Sequence, residues 1–153
     1  MKKTLTGLIC ALCAACAFAS APKGWTTDFA AAQKEAEKEQ KAMIVLFTGS
    51  DWCPWCVRLA DEILLKKEFA SAVRKDFVPV YLDFPQDDSR ITPQERKANE
   101  ALARKYGIRG YPTLLVMDAK GGVRGKTGYQ RMTPAAYLDH LRKLAQKTAT
   151  PTP

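Results

Sequence analysis

The sequence predicts one α/β domain, a central mixed β-sheet flanked by helices. Three observations carry that prediction. Helical and extended patterns alternate in the order helix, strand, helix, strand, helix, strand, strand, helix. The run Ala42 to Thr48 (AMIVLFT) is apolar without interruption and rich in β-formers, as a strand covered on both faces requires. The 153 residues are 46% hydrophobic and 26% charged, which suits a single folded domain and excludes a disordered chain, a collagen-like fibre and a disulfide-dense miniprotein. No apolar run reaches the ~20 residues of a membrane span, so a polytopic membrane protein is excluded as well.

The chain opens on Met1-Lys2-Lys3, then an apolar stretch from Leu5 to Phe18, then the small residues Ala17-Phe18-Ala19-Ser20-Ala21. This is the pattern of a secretory signal peptide over residues 1–19, cut after Ala19. A lipoprotein signal stays open as a second reading, with Cys16 in Leu12-Cys13-Ala14-Ala15-Cys16 as the lipid-anchored residue, and an uncleaved anchor as a third. Soluble export removes Cys10, Cys13 and Cys16 and leaves Cys53 and Cys56 as the only cysteines. It also removes Lys2 and Lys3, taking the formal charge from +8 to +6. The expected location is extracytoplasmic, periplasmic or otherwise exported, with no membrane span after cleavage.

The expected domain covers residues 20–147, followed by a disordered tail at 148–153. Residues 20–27 lead in. Asp28 to Lys41 reads as a surface helix with Thr27 as cap and a thin stripe of Phe29, Ala32 and Ala36; its charge run from Lys34 is a solvated face. After the buried strand, Gly49-Ser50-Asp51 breaks the pattern. A helix then starts at Cys53 with Val57, Ala60, Ile63 and Leu64 on one face, and a second helical stretch covers Glu68 to Lys75. Phe77 to Phe84 is the next strand, and Pro79 places it at a sheet edge or at a strand start. Thr92, Pro93 and Glu95 form a helix start with a capping box; Ala98, Ala101, Leu102 and Tyr106 are its expected inner stripe, and Gly107 its left-handed terminus. Thr113 to Asp118 and Val123 to Tyr129 make a hairpin across Ala119-Lys120-Gly121-Gly122. Thr133-Pro134 begins a last helix with Tyr137, Leu138, Leu141 and Leu144 inward.

The chemistry centres on Asp51-Trp52-Cys53-Pro54-Trp55-Cys56. With Cys53 as N-cap, Pro54 takes the first helical position, where its missing N–H is harmless. Cys56 follows within the same turn, inside bridging distance. Free N–H groups and the helix dipole favour thiolate at an accessible Cys53. The dipole contributes about 0.3–1 kcal/mol and at most ~2 kcal/mol. That makes Cys53 moderately acidic, suited to reducing or exchanging disulfides more than to strong oxidation. Other readings are weaker. A zinc site usually takes four ligands, and only His140 and scattered carboxylates could complete it. No histidine follows Cys56, which excludes c-type haem attachment. A structural disulfide across so short a loop stabilises little. His140 itself reads as a surface residue.

Together these residues resemble the thioredoxin superfamily, and in particular exported bacterial thioredoxin-like thiol–disulfide oxidoreductases. The likeness lies in MIVLFTGSDWCPWCVRL (43–59), in YGIRGYPTLLVMDAKG (106–121) and in the hairpin, Gly128 and closing helix (134–146). The resemblance implies a cis Tyr111–Pro112 bond beside the cysteine pair. It implies substrate contact by the Tyr111 backbone and a tryptophan, Trp52, packed beside the nucleophile. Trp52, Pro54, Trp55, Tyr111 and Pro112 are therefore the candidate substrate-binding residues around catalytic Cys53 and Cys56. The sequence departs from the family at one place. The buried acid usual beneath the second cysteine falls on Leu46 or Phe47, with Asp51 and Asp83 the nearest acids by position.

The expected partners are protein disulfide substrates and an upstream redox partner. Two other functions use the same features. One is a thiol-dependent binding protein or chaperone without turnover, and the other a copper or zinc carrier on the cysteine pair. The excess of 24 Lys plus Arg over 16 Asp plus Glu reads first as a generic basic surface and only second as a sign of acidic partners or an anionic membrane surface, and export argues against nucleic acid. No Gly-rich phosphate loop appears, so no organic cofactor is expected, and no bound metal either.

Overall fold

The computed structural model describes residues 21–150. The expected signal segment, with Cys10, Cys13 and Cys16, and residues 151–153 of the expected tail lie outside the described residues. The elements run α1 (Phe29–Glu39), β1 (Ala42–Thr48), α2 (Pro54–Leu59, continuing as a π turn over Ala60–Leu64), α3 (Lys67–Asp76), β2 (Phe77–Asp83), a 3-10 turn (Asp88–Arg90), α4 (Pro93–Lys105), β3 (Thr113–Met117), β4 (Val123–Thr127) and α5 (Pro134–Ala145). The four strands form one mixed sheet in the order β2-β1-β3-β4, with β1 parallel to β2 and antiparallel to β3. The expected α/β domain with a flanked mixed sheet is the observed one.

β1 is central, which explains its unbroken apolar run. Ile44 and Leu46 face one core with Leu59, Ile63, Phe69, Leu114 and Tyr137 from α2, its π turn, α3, β3 and α5. Met43, Val45 and Phe47 face a second core with Ala32, Ala36, Val80, Leu82 and Leu115. β2 lies at the sheet edge, and its Pro79 accepts a bond from Thr26 N–H at 3.0 Å; Tyr81 N–H donates back to Thr26 at 2.8 Å. Trp25, in the lead-in, is 9% exposed and meets Tyr81 edge-on.

Four local expectations shift. α1 is capped by Asp28, whose carboxylate accepts from Ala31 N–H at 2.9 Å, and it ends at Glu39 because Gln40 turns left-handed (φ 53°). A carboxylate at this position also complements the helix dipole, which Thr27 could not do. In α2, Val57 is 43% exposed and Leu59 fills the core instead. Val57 sits in the first turn after the β1–α2 loop and borders a surface cavity. In α4, Ala98 and Ala101 are exposed, and the inner side carries Asn99 with partly buried Leu102 and Tyr106. Alanines bury too little area to fix a helix face, whereas the Asn99 amide donates to the Asp83 carbonyl at 2.9 Å. Beyond α5, Thr150 pairs with Val123 through two backbone bonds (3.2 and 2.8 Å), so part of the expected free tail is paired.

Candidate active site

The loop after β1 delivers Cys53 to the start of α2. Cys53 has extended backbone (φ −93°, ψ 106°), caps the helix, and Pro54 follows at the first position. The Cys56 N–H points at the Cys53 sulfur, 3.3 Å away. Cys53 and Cys56 are joined as a disulfide, with Cα atoms 5.2 Å apart. Gly49 N–H donates to the Cys56 sulfur at 3.4 Å. Backbone donors therefore face both sulfurs, which is the arrangement that favours thiolate after reduction.

The pair is less open than a helix-tip position predicts: Cys53 is 4% exposed and Cys56 3%. The bridge and the first-turn N–H hold the Cys53 sulfur inward over the helix, away from solvent. Exposure is instead concentrated in the flanking indoles, Trp52 at 40% and Trp55 at 53%. Pro54 is exposed between them, and Tyr111 and Pro112 are half-buried.

Two aromatic walls flank the disulfide. On one side Trp52 meets Tyr111 edge-on at 5.7 Å, Tyr111 packs on Phe84 at 5.1 Å, and the Trp52 indole donates to the Phe84 carbonyl at 2.7 Å. Gly49 makes room for this wall, since a Cβ there would sit 2.5 Å from the indole. The Tyr111–Pro112 peptide is cis. Gly128 backs it closely, because a Cβ there would lie 2.9 Å from the Pro112 carbonyl oxygen. On the other side Trp55 packs on Tyr129 at 5.5 Å, and the Arg58 guanidinium lies over both rings at 5.3 and 5.1 Å. Glu62 ties this wall together: it accepts from Arg58 Nε at 2.9 Å and from the Tyr129 hydroxyl at 2.5 Å. The Tyr129 bond, then Arg58, hold the Glu62 carboxyl below the usual carboxylate range, and the bond to Glu62 pushes the Tyr129 phenol up. Burial raises the Tyr111 phenol too.

The acids near the pair have distinct surroundings. Leu46 borders the cavity beside Cys56, while Phe47 packs into the opposite core. Asp51 accepts from the Gln86 and Asp87 N–H groups at 3.0 Å each. Burial opposes its ionisation, but those bonds prevail and keep its carboxyl low. Asp83 is 4% exposed and accepts from Ser50 N–H at 3.0 Å, Ser50 Oγ at 2.6 Å and Phe84 N–H at 2.9 Å. His140 is half-buried and bonded to Thr127 and Gln130, so it joins α5 to β4 where the sequence suggested a plain surface residue. Among the described residues no three His, Cys, Asp or Glu side chains converge as a metal site would require, and no helix is long and apolar enough to cross a membrane.

Sequence reasoning missed Phe84, Tyr129, Arg58, Glu62 and Ser50. Their only signals were position: Ser50 three residues before Cys53, Arg58 and Glu62 four apart on one helix, Tyr129 just after Gly128.

Known proteins match this architecture. The chain is 32% identical over 114 residues, 74% of its length, to disulfide bond reductase DsbH of Chlamydia pneumoniae, covering 68% of that protein. It is 27% identical over 94 residues, 61% of its length, to thioredoxin-related protein DsbJ of the same organism, of which it covers 27%. A solved structure of a DsbH oxidoreductase superposes with a TM-score of 0.76 at 30% identity, covering 84% of this chain and 88% of that one. The family model described as a thioredoxin-like domain matches residues 29–145. With three-quarters of its length inside that match and a capped cysteine pair at its centre, the chain belongs to the thioredoxin-like family.

Proposed function

We propose that this chain is an exported thiol–disulfide oxidoreductase that reduces or exchanges disulfides in protein substrates. The observation that carries the reading is the Cys53–Cys56 disulfide at the first turn of α2, with the Cys56 N–H on the Cys53 sulfur and an exposed indole on each side. Its location rests on the signal pattern of residues 1–19, and the printed name of its reductase relative supports the reducing direction.

In the reduced protein the Cys53 thiolate attacks a substrate disulfide. One substrate sulfur leaves as thiolate and a mixed disulfide forms. The Cys56 thiolate then attacks Cys53, closes the internal disulfide and expels the second substrate sulfur. Two electrons pass to the substrate, and an upstream dithiol restores the pair. Trp52, Pro54, Trp55 and the Tyr111–Pro112 backbone form the surface that receives the peptide. The test is insulin reduction with dithiothreitol, comparing wild type with Cys53→Ser. The reading requires acceleration by wild type and none by the variant; equal rates for both would sink it.

The low exposure of Cys53 beside exposed Trp52 and Trp55 favours one second reading, peptide binding without turnover. That protein would suppress aggregation of reduced insulin as well with Cys53→Ser as without it.

A further inference from the structure

The two aromatic walls beside the disulfide differ in charge, and the difference bears on which peptides the pair accepts. On the Trp55 side the Arg58 guanidinium lies 5.3 Å from the Trp55 ring centre and 5.1 Å from that of Tyr129. Its Nε donates to Glu62 at 2.9 Å. Among the described residues neither of its Nη groups has a hydrogen-bond partner, and the side chain is 39% exposed. Two rings and a carboxylate therefore fix a planar fork whose outer donors are unspent. An arginine on a bare surface is ordered only when a carboxylate arrives; this one is ordered beforehand, so less freedom is lost on binding.

Arg131 adds a second cation to this wall. It is exposed, follows Tyr129 by two residues, and its charge acts on both the Glu62 carboxylate and the Tyr129 phenol. Glu62 is the acid of the cluster and is already bonded to Arg58 and Tyr129. Two arginines against one glutamate leave the Trp55 wall net positive. Asp61, one turn along from Arg58, borders the cavity with Val57 and Leu65 instead. The Trp52 wall has no such excess, since Asp51, Asp87 and Glu100 offset Arg90 and exposed Arg109 near it.

We propose that Arg58 selects disulfides whose cysteine stands next to an acidic residue, the carboxylate docking on the Nη fork while the cysteine meets Cys53. This rests on the redox reading above and names the substrates that the same site prefers.

The spacing suits that role. Arg58 stands five residues after Cys53, about 7.5 Å along the axis at 1.5 Å per helical residue. One step of an extended peptide covers ~3.3 Å, and a glutamate side chain spans the remainder. A carboxylate offers two oxygens to paired N–H donors, which an ammonium or an amide cannot match. A lysine at the same place in the substrate meets Arg58 and Arg131 and is repelled. Arg58 touches the neighbour of the reacting cysteine and no reacting atom, so the exchange steps themselves are unchanged.

Two disulfide-linked peptide dimers test it, one of Ala-Glu-Cys-Glu-Ala and one of Ala-Lys-Cys-Lys-Ala. Each is mixed with excess reduced protein, quenched in acid, and the released peptide thiol is measured. Each rate is divided by that of mercaptoethanol on the same dimer, which removes the effect of the flanking charges on the disulfide itself. The normalised rate for the glutamate dimer should exceed that for the lysine dimer by about tenfold at low salt, one exposed ion pair gained against one like-charge contact avoided. The ratio should fall toward one at ~1 M salt, where charges are screened beyond ~3 Å. Arg58→Gln should bring the ratio within about twofold at low salt, and Arg58→Lys, a point charge without the fork, should give an intermediate value. The ratio compares two peptides on one protein, so a general loss of reactivity cancels. Equal normalised rates in the wild type overturn the proposal. So does a wild-type ratio in Arg58→Gln, or loss of the ratio in Arg131→Gln but not in Arg58→Gln. The redox reading is checked separately with dithiobis(nitrobenzoic acid), whose first thionitrobenzoate reports attack by Cys53. A wild type that releases none overturns that reading; one that releases it and treats both dimers alike overturns only the selection by Arg58.

Discussion

Cys53 and Cys56 occupy one helical turn but face different tasks. In the proposed cycle Cys53 starts the reaction, so Cys53→Ser should leave no covalent adduct with a disulfide substrate. Cys56→Ser should accumulate one, seen as a mass shift on a non-reducing gel that dithiothreitol removes. The Arg58–Glu62–Tyr129 frame makes a second residue-scale prediction. The Glu62 carboxyl lies below its ordinary value because Tyr129 and Arg58 bond its charged form. A depressed carboxylate contributes above its unfolded pKa and loses that contribution as pH falls through the folded one. Acid titration below the ordinary carboxylate range should therefore release Trp55 from Tyr129 and change the tryptophan emission. Glu62→Gln should already show the acid-form emission at neutral pH. Trp52 and Trp55 were legible in the sequence because they adjoin the cysteines. Tyr129 and Phe84 were not: they reach the site only through strand pairing and loop return, contacts that no local period encodes.

At the scale of elements, α4 has the clearest local signature and the least reliable face. Thr92 and Glu95 cap each other as their spacing predicts, with Glu95 N–H on Thr92 Oγ1 at 3.1 Å and Thr92 N–H on the Glu95 carboxylate at 3.0 Å. Thr92→Ala should lower stability by about 1 kcal/mol, read as a lower urea midpoint at unchanged slope. The expected inner stripe holds at Leu102 and Tyr106 and fails at Ala98 and Ala101, because a buried asparagine orients the helix and periodicity counts only apolar residues. The β1–α2 loop carries a different constraint. Gly49 lies against the Trp52 indole, so Gly49→Ala must move the ring off the Phe84 carbonyl. The expected result is a raised KM for peptide disulfides, with little change in the rate of the first thionitrobenzoate release. Glycine before a Trp-Cys motif was visible in the sequence; the reason for it needed the indole's position.

For the whole molecule, stability comes from two apolar layers on either side of the sheet, and the disulfide closes a loop only three residues in separation. Loop-closure arithmetic gives such a bridge about 2 kcal/mol. The reduced protein should therefore keep its near- and far-ultraviolet circular dichroism while unfolding at a somewhat lower temperature. The layered fold was readable because β1 is apolar on both faces and the helices alternate with strands. What the sequence left hidden is that chain outside the matched domain bridges both outer strands of the sheet, at one residue each. Thr26 pairs with β2 and Thr150 with β4, and neither falls within residues 29–145. Unpaired outer strands invite one protein to add its sheet to another's. A molecule trimmed to its family boundaries would thus lose both bridges, and it should self-associate more readily, read as a larger apparent mass on size-exclusion chromatography.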